Sequence, residues 1–163
     1  MSGDRRTEVR NGLEPCLPRL WRYALMLTRR SHDAEDLVQS TCLRAIERAD
    51  QFIPGTRLDR WLFAILRSIW LNQARSDRVR EGEGNLDAEA ILTFDGAKAI
   101  ETNILIGQVL KKLSALPTAQ RETALLVYAE GYSYAEAAAM LDIPVGTVMS
   151  RLAAVRAALT KDV

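Results

Sequence analysis

The stretch SYAEAAAMLDIPVGTVMSRLAAVRAAL, residues 133 to 159, holds several local signals that agree on one structure. Ser133 with Glu136 three residues on is an S-x-x-E capping box, which opens a helix by satisfying two of its orphan N–H groups. Ala138 is small where two helices would cross. Asp142 stands at the turn, a position that asks for positive φ and that Asp tolerates better than most residues. Leu141 and Ile143 flank that turn, and Val148, Leu152, Val155 and Leu159 then recur at the spacing of one buried helical face. The stretch reads as a helix-turn-helix, whose second helix enters the major groove of DNA. Gly146, Thr147, Met149, Ser150, Arg151 and Ala154 are therefore expected to face DNA, with Thr147, Ser150 and Arg151 supplying hydrogen-bond donors. A helical hairpin within a bundle is the competing reading of the same pattern.

Working outward, Gly131 is placed to end the preceding helix in a left-handed conformation, and Thr118 is placed to cap that helix at its start. Before Pro117, Leu105, Val109 and Leu113 mark a stripe of a helix that begins near Asn103. Upstream lies EGEGNLDAEAILTFDGAKAIE, residues 81 to 101, whose glycines, acids and short apolar island predict a flexible linker. Nearer the N-terminus, Leu13, Leu17, Leu20, Trp21, Ala24 and Leu27 keep the helical period. Ser31 is placed to cap a second helix whose first turn carries Asp33, Glu35 and Asp36, acids that suit the positive end of its dipole. Leu37, Val38, Thr41, Cys42, Ala45 and Ile46 form its inner stripe. Pro54 and Gly55 make a loop of residues 51 to 57. A third helix follows, with Trp61, Leu62, Ile65, Ile69 and Asn72 sharing a face, while Arg60, Arg67, Arg75 and Arg78 keep its other surface positive. Taken alone, those arginines are simply a solvated face.

Composition agrees with this all-α reading. The 163 residues are 48% hydrophobic, with only 9 glycines and 5 prolines, so most segments favour helix. Net charge is +1, yet it is unevenly spread: residues 1–80 hold 15 basic and 10 acidic side chains, residues 81–105 hold 1 and 6, and residues 106–163 hold 6 and 5. The expected organisation is two small helical domains, 1–80 and 103–163, joined by an acidic linker at 81–102. Two cysteines without a CxxC pair and a single histidine supply neither a disulfide framework nor a metal set, so no cofactor is expected and the cytoplasm is the natural compartment. No apolar run approaches the about 20 residues that span a bilayer, so no membrane insertion is expected.

At this point a family resemblance emerges. LPTAQRETALLVYAEGYSYAEAAAMLDIPVGTVMSRL, residues 116 to 152, is similar to region four of the extracytoplasmic-function sigma factors. DAEDLVQSTCLRAIERADQF, residues 33 to 52, resembles region two of the same family, and RLDRWLFAILRSIWLNQAR, residues 57 to 75, resembles its promoter-melting helix. The resemblance implies that Glu35, Asp36, Gln39 and Arg44 dock on the clamp helices of bacterial core RNA polymerase. It implies that the 51–57 loop and the helix after it capture an unstacked base of the minus-ten element, with Phe52, Thr56, Arg60, Arg67, Ser68, Asn72 and Arg75 as candidates. Stacking and edge hydrogen bonds in such a pocket offset the unpairing cost. Trp61 and Phe63 are either part of that site or core.

The resemblance also assigns minus-thirty-five contact to Thr147, Ser150, Arg151, Ala154 and Arg156, threads the acidic linker through the polymerase, and implies an anti-sigma factor as inhibitory partner. The chain departs from the family pattern at several places. Ser68 stands where Asn is usual, Asn72 where Asp is usual, Met149 where Lys or Arg is usual, and Ala153 and Ala154 where residues are often basic. Each phosphate contact removed takes about one unit from the salt slope, so region four is expected to hold DNA weakly by itself.

Two other classes compete. A free-standing helix-turn-helix regulator would normally need a dimer interface or a sensor domain, and the sequence displays neither. An enzyme would rest on Asp33, Glu35 and Asp36 beside His32, without a phosphate loop, a convincing metal set or a nucleophile and base pair. No small-molecule substrate is expected.

Overall fold

The computed structural model describes residues 2–77 and 100–161. Seven α-helices are described: α1 Ser2–Thr28, α2 Ser31–Glu47, α3 Leu58–Asp77, α4 Ile100–Ala115, α5 Thr118–Ala124, α6 Tyr134–Leu141 and α7 Val145–Thr160. A 3-10 turn, Ala49–Gln51, follows α2, and a π-helical turn, Leu125–Ala129, continues α5. No strand occurs among the described residues. The chain divides into two compact units, one built from Met1–Ala24 and His32–Asn85, the other from Leu25–Ser31 and Leu86–Val163. Residues 81–99 of the expected linker lie outside the described residues, as does Arg78, and its last three, Ile100 to Thr102, already belong to α4.

In the first unit the core is a meeting of inner stripes. Val9, Leu13, Leu20 and Ala24 come from α1, Ala34, Leu37, Val38, Thr41 and Ala45 from α2, and Leu62, Phe63, Leu66 and Ile69 from α3. Tyr23 and Phe63 meet edge to face with ring centroids 5.2 Å apart, an arrangement the aromatic quadrupole favours. Thr41 is buried because its hydroxyl donates to the Leu37 carbonyl at 2.7 Å, leaving its methyl for the core. Residues 2 to 12 belong to α1: Val9 is fully buried, and Arg5 donates from Nη1 to the Asp50 carbonyl at 2.8 Å. At Gly12 α1 meets the side chain of Leu58 on α3, and a Cβ there would run into Leu58 Cδ2.

Several expected core positions shift. Leu17 is exposed and Trp21 half-buried, while Tyr23, outside the expected stripe, is core. On α3, Asn72 is exposed and Trp61 and Ile65 are half-buried, while Phe63 and Leu66 are core. Cys42 is half-buried, and its thiol pKa is raised, first by burial and then by Cys16, so neither effect favours a reactive thiolate.

In the second unit α5 is the central element. Every residue from Arg121 to Leu126 is buried, and α5 packs against α7. Arg121 is 2% exposed, and its guanidinium donates to Thr118 Oγ1 at 3.0 Å and to the Leu116 carbonyl. Burial pulls its pKa down to about 10. Thr118 is thus the first residue of α5 rather than its cap, which is Pro117 and makes no side-chain bond. Pro at that boundary fits, because its missing N–H would be unpaired there anyway. Val109, expected on the inner stripe of α4, is exposed, whereas Ser114 is buried with its hydroxyl on the Lys111 carbonyl at 2.8 Å.

Candidate nucleic-acid and polymerase interfaces

The helix-turn-helix forms as its local chemistry requires. Ser133 Oγ accepts from the Glu136 N–H at 3.1 Å, and Glu136 Oε2 accepts from the Ser133 N–H at 2.8 Å, so the capping box is complete. Gly131 has φ +74 and Asp142 φ +54, and both end their segments in the left-handed conformation. The axes of α6 and α7 bend by 106° across the turn, within the range of this motif. Ala138 is buried at the crossing, and Val148, Leu152 and Val155 are fully buried beneath α7. Ser133→Ala should lower the stability of the second unit by about 1 kcal/mol, read as a lower unfolding midpoint; an unchanged midpoint would mean the box contributes nothing.

The outward side of α7 starts with Val145 and Met149, 42% and 54% exposed. Ser150 and Arg156 are exposed, and Thr147, Arg151 and Ala154 are half-buried. Ser150 Oγ donates to the Thr147 carbonyl at 3.0 Å, leaving its lone pairs outward. Arg156 Nη1 donates to the Tyr128 hydroxyl at 2.9 Å, and Tyr134 also bears on the same guanidinium. Both tyrosines lie upstream of the reading helix, so neither was found from the sequence.

In the first unit the loop after α2 is a tight turn. Thr56 donates from its N–H and from its hydroxyl to the Ile53 carbonyl at 3.2 and 2.6 Å, and Gly55 has φ +83. Pro54 and Gly55 hold the central positions, the residue pair that a type II turn prefers. Phe52, expected to face DNA, is 1% exposed and packs against Trp61 with centroids 5.3 Å apart. It is a core residue here, because the extended backbone at Phe52 turns its ring inward and leaves Ile53, 67% exposed, at the tip.

Asp59, at the first turn of α3, ties this loop down. Its Oδ2 accepts from Arg19 Nη2 at 3.0 Å and from Arg57 Nη2 at 2.9 Å, and its Oδ1 accepts from Arg57 Nε at 3.3 Å. The Arg19 guanidinium also lies 5.3 Å from the centroid of the Phe63 ring. Along α3, Arg60, Arg67 and Arg75 recur at intervals of seven and eight, which sets them on one side over about 22 Å. Ser68, Asn72 and Arg75 are exposed, and Arg60 and Arg67 are half-buried.

On α2, Glu35, Asp36 and Gln39 are exposed, and Arg44 is half-buried. Leu43 is 60% exposed on the same side as Asp36 and Gln39, at the i+7 and i+4 positions. Leu43 was not singled out from the sequence. His32 Nε2 lies 3.6 Å from Asp36 Oδ2, with both side chains largely in water. Among the described residues no cluster of three or more His, Cys, Asp or Glu side chains could hold a metal, and no single helix is long and apolar enough to cross a membrane.

Comparison with known proteins agrees with this arrangement. Residues 13–80 match the family model for Sigma-70 region 2, and residues 106–159 match that for Sigma-70 region 4. The chain is 36% identical over 152 residues to the ECF RNA polymerase sigma factor EcfG of Rhodopseudomonas palustris (strain TIE-1), covering 93% of this chain and 83% of that protein. It is 39% identical over 137 residues to the ECF RNA polymerase sigma factor SigL of Mycobacterium tuberculosis, covering 82% and 76%. Among solved structures, it is similar to the sigma factor RpoE in complex with the anti-sigma factor NepR from Bartonella quintana, with a TM-score of 0.73, 30% identity, and 94% and 95% of the two chains covered. With both regions matched in order and relatives of this identity over most of its length, the chain belongs to the ECF RNA polymerase sigma factors.

Proposed function

We propose that this chain works as a sigma subunit rather than an enzyme, joining core RNA polymerase in the cytoplasm and directing it to promoters. The observation that carries the reading is the exposed side of α2, where Asp36, Gln39 and Leu43 stand together over a buried inner stripe. A polar pair with an apolar residue is what a protein interface of modest size needs, an anchor with hydrogen-bonding groups around it. Glu35 and Arg44 extend that surface. The turn carrying Ile53 and Thr56, followed by Arg60, Arg67, Ser68, Asn72 and Arg75, then meets the non-template strand of the minus-ten element. Thr147, Ser150, Arg151, Ala154 and Arg156 meet the minus-thirty-five duplex. An anti-sigma factor is a further proposed partner, supported by the structural relative being bound to one.

The deciding experiment is co-elution of the purified chain with bacterial core polymerase, beside a variant carrying Asp36→Ala and Gln39→Ala. The wild type should bind tightly, and the variant should lose at least about tenfold in affinity, the effect of losing roughly 1.4 kcal/mol. Failure of a folded, inhibitor-free wild type to bind would overturn the reading and favour a regulator that binds duplex DNA without polymerase.

A further inference from the structure

Cys16 and Cys42 belong to none of the surfaces described above, yet the fold brings them together. α1 and α2 are joined by Arg29 and Arg30 alone, a connection short enough to fold the second helix back along the first. The far ends also meet, since Arg5 near the start of α1 donates to the Asp50 carbonyl just beyond the end of α2. Between these two ties the register is set. Cys16 stands twelve residues before the end of α1 at Thr28, and Cys42 eleven after the start of α2 at Ser31, which puts them about 18 Å and about 17 Å from the turn. The two thiols therefore sit at one level of an antiparallel pair, and a charge on Cys16 reaches Cys42 strongly enough to raise its pKa.

Each thiol sits on the inner side of its helix without being sealed in. Cys16 falls between Leu13 and Leu20 in the buried repeat of α1, and Cys42 between Val38 and Ala45 in that of α2, yet both cysteines are half-buried rather than core. Small solutes can reach them. α1 also yields easily at this place, because Pro15 and Pro18 flank Cys16 inside the helix and each lacks the N–H that would bond to the carbonyl four residues back. A disulfide asks for Cβ atoms about 3.5–4.5 Å apart. A helix short of two rungs beside one cysteine can make the last adjustment at little cost.

We propose that Cys16 and Cys42 form a reversible oxidation site, closing to a disulfide when a hydroperoxide reaches the first unit and reopening when a dithiol reduces it. The Cys16 thiolate attacks the outer oxygen of the hydroperoxide and the O–O bond breaks; the sulfur is oxidised to a sulfenic acid, and the leaving alkoxide takes up a proton as an alcohol. The Cys42 sulfur then attacks that of Cys16, the S–O bond breaks, and the hydroxyl departs with the Cys42 proton as water. Two thiols and one hydroperoxide give one disulfide, one alcohol and one water. Cys16 takes the first step because its charge is the one that Cys42 feels, and the raised Cys42 thiol keeps the pair reduced until peroxide persists. The bridge spans the turn between α1 and α2, removing freedom from the unfolded chain, and it joins groups already at one level, so it stabilises the first unit. A transient bridge of this kind is the form that disulfides take in a reducing compartment.

The test treats the full chain, reduced and then freed of reductant, with hydrogen peroxide, and follows it by intact mass and by peptide mapping after thiol alkylation. The expected product is a monomer lighter by two hydrogen atoms, in which both thiols are lost to alkylation together, one linked pair of peptides carries Cys16 and Cys42, and dithiothreitol restores the starting mass. Its half-time should not change when the protein is diluted, because closure happens within one chain. In urea, the tryptophan fluorescence of the first unit should show a higher midpoint in the oxidised chain than in the reduced one. Cys16→Ala and Cys42→Ala, each checked for wild-type helical circular dichroism, should form no such product and gain no midpoint on oxidation. Two thiols that stay free under excess peroxide would overturn the site, as would one thiol taken to sulfinic acid while the other remains open to alkylation. A disulfide between two chains would equally overturn it. An internal bridge that lowers the midpoint would do so too, since it would form only from an opened unit.

Discussion

Asp59→Ala is expected to leave polymerase binding intact and to slow promoter opening at least about tenfold, the equivalent of losing some 1.4 kcal/mol. The argument starts from burial. The Asp59 side chain is only 12% exposed and receives three hydrogen bonds from two arginines, one on α1 and one in the loop. Removing it takes away a part-buried carboxylate that two guanidinium groups share, a loss of about 1–3 kcal/mol for hydrogen bonds of this charged kind. Most of that falls on the loop, since Arg57 is held through both Nε and Nη2, and Arg57 is the last loop residue before α3. The turn that presents Ile53 and Thr56 would then sample many orientations. Capturing an unstacked base depends on a preformed pocket, so ordering the loop afresh would be added to the barrier. The α2 surface is on another element and needs no help from Asp59. Permanganate reactivity of minus-ten thymines, beside co-elution with core polymerase, measures the two separately. Unchanged opening by Asp59→Ala would show that the anchored loop is not the melting element.

How much of this was legible in the sequence follows from how local each determinant is. Ser133, Glu136, Gly131 and Asp142 act within a few residues of their own backbone, and the structure has all four as their chemistry predicts. The inner stripe of α7 was equally plain, because a single period fixes which side is apolar. What a period cannot fix is which flank of that side a neighbouring element covers. Leu17 and Val109 lie on such flanks and are exposed, whereas Tyr23 and Leu66 are covered. Phe52 illustrates the same limit, since an aromatic residue in a basic loop looks like a stacking platform until Trp61 is seen beside it. The pairings of Arg19 with Asp59 and of Tyr128 with Arg156 join residues 40 and 28 positions apart, and no local rule brings them together. The π turn that continues α5 has no compositional mark at all. Arg29, with φ +60, is likewise a left-handed position that its residue type does not announce.

Leu152→Ala should separate the chain's two activities by undoing one unit. Leu152 is fully buried on the inner stripe of α7, which packs on both α5 and α6, and truncating such a leucine costs about 2–5 kcal/mol. A unit with 69 described residues, 25 to 31 and 100 to 161, has a total stability on the order of 3–10 kcal/mol at typical values per residue. The substitution therefore removes a large share of what holds the helix-turn-helix, and with it the placement of Thr147, Arg151 and Arg156. The first unit keeps its own core of α1, α2 and α3 stripes, so binding to core polymerase through α2 should survive while minus-thirty-five preference is lost. The aromatic residues allow a direct reading. Trp21, Trp61 and Trp70, the only three tryptophans, belong to the first unit, whereas Tyr128, Tyr132 and Tyr134 belong to the second. In urea, tryptophan fluorescence should keep its wild-type midpoint in Leu152→Ala, and the helical circular dichroism should gain an earlier transition. If both signals moved together by the same amount, the two units would unfold as one, and a lesion in the DNA-reading helix would be felt at the polymerase surface as well.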